Sequence, residues 1–180
     1  MHEWGHLAHA AKILRVAEEK KAAYKEARAE LGVCFVRTIA AIPEQARARD
    51  KETSGLSLTS PDLPAFLARK ILGRVGDYLS NLMCSKLLPG EEMQTYVRTH
   101  VHHHFDENLG LVSELARYAY EIHYLELAGL PRSYFFNTSR FSHYFIESGI
   151  ITEERTNALF DAVGRVLACY SIDETKLALS

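Results

Sequence analysis

The chain has 180 residues, 47% hydrophobic and 24% charged, with a net charge of −2. That is enough chain for one domain with its own core, and the near-neutral balance excludes the basic footprint of a nucleic-acid binder. There is no apolar run of about 18 residues to span a bilayer and no charged start followed by an apolar run, as in a secretion signal. Cys34, Cys84 and Cys169 are scattered and odd in number, which fits a reducing cytoplasm better than a disulfide framework.

Residues 3–31 read as a long helix. Leu7, Ala10, Ala11, Leu14, Ala17, Tyr24, Ala27 and Leu31 recur at helical spacing around a solvated Glu18-Glu19-Lys20-Lys21 patch. Gly32 weakens it, and Cys34, Phe35, Val36, Ile39 and Ile42 form a second apolar segment up to Pro43. Residues 44–62 are polar, with Gly55, Ser57, Ser60 and Pro61, and read as a long loop. A helix from about Leu63 to Leu88 follows. The next, 91–108, starts after Leu88-Pro89-Gly90 with Glu91 and Glu92 in its first turn, where carboxylates suit the positive helix end. A helix over 111–128 buries Leu111, Leu115, Tyr118, Ile122 and Leu125, and stops at Gly129-Leu130-Pro131. Pro131 opens another, rich in Phe135, Phe141, Tyr144 and Phe145, that ends at Gly149. Thr152 is an N-cap signal, with Glu153 and Glu154 behind it, for a last helix that runs to near the end. No strand alternation competes, so residues 1–180 are expected to form a single all-α domain.

Nine histidines is the unusual count. At 100° per residue, His100 and His104 fall within the apolar stripe of Met93, Val97, Val101, Phe105 and Leu109, while His102 and His103 point elsewhere. His123 sits on the next helix beside Val112, Ala116 and Ala119, whose small side chains leave room for a flat guest. Neutral imidazole binds zinc, copper and iron, so His100, His104 and His123 are candidates for a metal site, or His123 for a haem iron in an apolar pocket. His2-Glu3-Trp4-Gly5-His6 matches the HExxH zinc-peptidase pattern, although its place at the chain start argues for coincidence. A di-iron carboxylate site needs a second Glu-x-x-His, which the chain lacks. The aromatic run around Tyr134-Phe135-Phe136 and Phe141–Phe145 suits a core or a helix-pair interface.

The order of these signals resembles the bacterial sensor globins, the haem-binding input domains of globin-coupled signalling proteins. Leu88-Pro89-Gly90-Glu91-Glu92 is similar to the start of their distal helix. Glu121-Ile122-His123 and Gly129-Leu130-Pro131 are similar to the end of their proximal helix. The likeness covers about half the chain. It implies a globin-like domain with an extra loop and helix at residues 44–88. It implies haem between helices 91–108 and 111–128, with iron on His123 and a pocket of Val97, His100, Val101, His104 and Ala119. It also implies a diatomic gas ligand, a homodimer through 131–148 and 152–178, and an output domain or partner protein beyond the C-terminus. His123 lies two residues further from Gly129 than the family spacing, which falls on Leu125. Either His123 is the ligand across a longer turn, or the chain is a haem-free member that binds a fatty acid or serves stress-signalling assembly. A metal-dependent enzyme using the His-rich positions is the remaining alternative.

Overall fold

The computed structural model describes residues 14–100 and 109–172, apart from the side chains of Leu14, His100 and Ile172. The fold is all-α. Helices α1 (Lys21–Ala41), α2 (Glu44–Arg49), α3 (Leu63–Leu72) and α4 (Val75–Leu87) are followed by α5 (Gly90–His100), α6 (Leu111–Leu127), α7 (Arg132–Thr138) and α8 (Glu153–Leu167). Among the described residues no helix is long and apolar enough to cross a membrane.

α6 is the central element. It packs against α3, α4, α5, α7 and α8, while α1 packs against α3 and α8. The apolar face expected from Leu111, Leu115, Tyr118, Ile122 and Leu125 is buried, and so is the adjacent stripe of Val112, Ala116, Ala119 and His123. A helix buried on all sides is normally apolar on all sides. This one carries Glu114, Glu121 and His123 inside as well, which makes its polar side chains the first place to look for function.

Several boundaries differ from expectation. The segment expected to be weakened at Gly32 and the apolar segment after it form one helix, α1, through Gly32 to Ala41. The glycine is needed there for close approach: a Cβ on it would lie 2.3 Å from the Pro64 carbonyl oxygen of α3. Within the expected helix 3–31, Leu14–Val16 instead forms β1, antiparallel to β2 (Tyr170–Ile172), with Arg15 opposite Ser171, and the segment before it lies outside the described residues. The pairing of a distant segment overrides local helix propensity here. It also ends the last helix at Leu167 rather than near the C-terminus. The expected helix 63–88 breaks at Gly73-Arg74 into α3 and α4, and the expected loop 44–62 contains α2.

The loop after α2 also caps the central helix. Asp50 accepts the Leu111 N–H at 2.9 Å, and Glu52 accepts the Ser113 N–H at 2.7 Å and its hydroxyl at 2.6 Å. Two carboxylates thus satisfy orphan donors at the positive end of α6. At its other end Gly129 takes φ 71°, and the Leu130 and Gly129 N–H groups donate to the Leu125 and Glu126 carbonyls. That is the Schellman closure expected from Gly129-Leu130-Pro131. Thr152 caps α8 by accepting the Arg155 N–H, as expected. Phe135, Phe141, Phe145 and Phe160 are fully buried, with Tyr118 4.7 Å from Phe141 between ring centres, so the phenylalanines at 135, 141 and 145 of the aromatic run are core, while Tyr144 is exposed.

Gly32→Ala is expected to destabilise the fold by about 1–3 kcal/mol, the usual cost of overpacking. Urea denaturation should show a lower midpoint at unchanged slope; an unchanged midpoint would refute the close-approach role.

Candidate functional site

His123 is 5% exposed, so the inward facing read from the sequence is correct. Its partners are on neighbouring elements. Nε2 lies 2.9 Å from the Phe160 carbonyl of α8, and Nδ1 lies 2.6 Å from Glu126 Oε2. A carbonyl only accepts, so Nε2 carries a proton. Glu126 is costly to bury, but hydrogen bonds from His123 and Arg132 pull its carboxyl down to about 2. Both ring nitrogens thus lie within hydrogen-bond distance of a protein oxygen. Arg132 extends the chain of bonds, holding Glu126 Oε1 at 2.7 Å and Asp161 of α8 at 2.6 Å. The network ties the end of α6 to the start of α7 and the middle of α8.

This arrangement decides the fit of a haem. Iron takes a ring nitrogen that is open to it, and both nitrogens of His123 are taken up by protein oxygens, at 2.6 and 2.9 Å. The proposed iron ligand is therefore a structural cross-link in this conformation, and the residues present do not fit a haem at His123. Val97 and Ala119, expected to line the pocket, are fully buried core residues. The side chain of His100, and Val101 and His104 entirely, lie outside the described residues, as do His2, Glu3 and His6 of the HExxH pattern. Among the described residues no three His, Cys, Asp or Glu side chains gather as metal ligands.

A second polar feature of α6 escaped the sequence reading. Glu114, Arg117 and Glu121 share one stripe. Arg117 Nη2 meets Glu114 Oε2 at 2.8 Å, its Nη1 approaches Glu121 Oε1 at 3.4 Å, and its guanidinium lies over the Tyr118 ring at 4.4 Å. Glu114 is 1% exposed and Glu121 7%. Burial pushes the Glu121 carboxyl up to about 8, with Arg117 opposing, Glu114 adding to the rise and Arg74 opposing. Among the described residues its Oε2 has no hydrogen-bond partner, nor has the Tyr120 hydroxyl. The spacing of three charges along one helix was visible in the sequence, but such a stripe ordinarily marks a solvated face.

A third feature is on the surface. An open groove of about 890 Å³ runs between α1 and α8, with Val33, Cys34, Arg37, Arg155, Ala158 and Arg165 in its walls. Glu30 and Arg165 bridge it at 3.3 Å. No histidine motif pointed here, because the lining residues are spread over two helices far apart in sequence. Comparison with protein-family models, curated proteins and solved structures returns no match.

Buried Glu121 and exposed Glu126 give opposite pH dependences. The Glu121 folded value is raised, so its contribution is present below the ordinary carboxylate range and is lost as pH rises through about 8. The Glu126 value is lowered, so its contribution is present above that range and is lost as pH falls toward about 2. Urea midpoints taken at about pH 6 and about pH 9 should fall for the native chain and stay level for Glu121→Gln. An equal fall in both would show that another group titrates.

Proposed function

We propose that the chain is a haem-free helical sensory module of a signalling protein, related in layout to the sensor globins and working by a change in helix packing rather than by iron. The observation that supports this reading is the double hydrogen bond of His123. The imidazole that the likeness assigns to iron is used to join α6, α7 and α8. In this reading α6 is the rigid reporter. Any event that favours a different seating of α8 acts on it through the Phe160 carbonyl and through the Asp161–Arg132–Glu126–His123 chain. Such an event shifts a balance between two packings by its differential affinity for them. The segments 131–148 and 152–178 then carry the change to a second copy or to an output domain.

The test is spectroscopic. Purified protein mixed with haem and passed through a desalting column is expected to keep no Soret band. His123→Ala is expected instead to lower stability by about 2–3 kcal/mol, because it strips partners from the Phe160 carbonyl and Glu126. A retained Soret band that His123→Ala abolishes would overturn the haem-free reading.

A further inference from the structure

The module proposed above needs an input, and the groove between α1 and α8 has the chemistry of one. The two helices run antiparallel: Lys20 reaches the Ala168 carbonyl at 2.8 Å, and further along α1 Glu30 meets Arg165. Past that bridge the walls hold Ala29, Val33 and Ala158, small side chains that leave the groove open. Val33 is 42% exposed, a β-branched apolar residue facing the opening.

The charges sort into committed and uncommitted groups. Glu30 is held by Arg165, and Asp161 is held by Arg132. Arg37 from α1 and Arg155 from α8 also line the groove, and among the described residues neither is engaged by a carboxylate. Glu154 is the one acid of the lining left over against them. Two guanidiniums facing one opening from different helices present planar donor forks, a geometry suited to an oxyanion. The balance of two cations against one carboxylate favours an anion over a cation.

We propose that this groove binds a small organic oxyanion: a phosphate monoester or carboxylate on a compact apolar body. Arg37 and Arg155 take the charged group, and the body rests on Val33 and Ala158. The volume of about 890 Å³ lies in the range of small-ligand sites. The proposal rests on the haem-free sensory reading for its purpose, but its test is independent of haem. A Soret band would sink that reading and leave the groove to be decided by titration.

The geometry supplies its own reporter. Cys34 lines the groove and is part-exposed, whereas Cys84 and Cys169 are buried. An occupant of the groove therefore shields Cys34 from alkylation. The experiment uses the full chain with phenyl phosphate, benzoate and inorganic phosphate as separate probes. Calorimetry gives affinity, and mass spectrometry follows iodoacetamide labelling at Cys34. Phenyl phosphate or benzoate is expected to bind with a Kd below about 1 mM and to slow Cys34 labelling several-fold. Whichever of the two binds tighter identifies the head group, and inorganic phosphate is expected to bind at least about tenfold more weakly than phenyl phosphate. Arg37→Gln and Arg155→Gln, both at exposed positions, are each expected to weaken binding about tenfold, and Glu154→Gln to strengthen it. No binding by either organic probe, binding unaffected by both arginine variants, or binding without protection of Cys34 would each overturn the proposal.

Discussion

A charge in a helix buried on all sides must be met by its neighbours, and the structure of this chain is largely the record of how that is done. Removing one partner of a buried charge leaves the other unpaired at a cost of several kcal/mol. α6 carries Glu114, Arg117, Glu121 and His123 where an ordinary core helix would carry leucine. Each sets a condition on another part of the fold. Arg117 must lie between its two glutamates and over Tyr118. His123 requires the Phe160 carbonyl, whose seat depends on α8, and Glu126, whose second oxygen requires Arg132. The N-terminal donors of α6 require Asp50 and Glu52 from the loop after α2.

The same requirement changes the meaning of the histidine. Burial beside small side chains is what a cofactor ligand and a structural cross-link have in common. What separates them is the fate of the ring's lone pair. Where one nitrogen faces a carbonyl and the other a carboxylate, both are taken up by the protein and neither is left to a metal. The hydrogen-bond partners, not the depth of burial, distinguish the two roles.

Much of this was legible in the sequence, and the pattern of what was not follows from range. The ends of α6 and α8 were readable because Gly129 and Thr152 act on their own helices. His123 was readable as inward-facing because the stripe of Val112, Ala116 and Ala119 is local. Glu126, one turn on from His123, was in plain view, but the Phe160 carbonyl is 37 residues away and belongs to no side chain. The caps of α6 come from 61 residues upstream. The Leu14–Val16 strand depends on a partner near the other end of the chain, so nothing in its own three residues marks it. Gly32 shows a different limit. Its helix propensity is poor, and the sequence alone weighs that cost without showing the Pro64 backbone that makes any larger residue worse.

Asp161 links the surface to the core. It lines the groove between α1 and α8 and is also the last member of the chain that runs through Arg132 and Glu126 to His123. Its side chain is half-exposed, at 55%, so the outer ion pair is screened by water and weak. The inner bond of His123 to Phe160 is buried and cannot be given up without leaving a desolvated donor. The chain therefore grades from a soft end at the groove to a stiff end at α6. An anion drawn to Arg37 and Arg155 brings negative charge toward Asp161, and repulsion between like charges favours arrangements in which Asp161 is held more closely by Arg132. Such a bias costs little at the exposed end, yet it acts on the arginine that also positions Glu126. An exposed ion pair at the groove, joined through Arg132 and Glu126 to a buried hydrogen bond, is the arrangement in which a weak surface event can bear on a rigid helix.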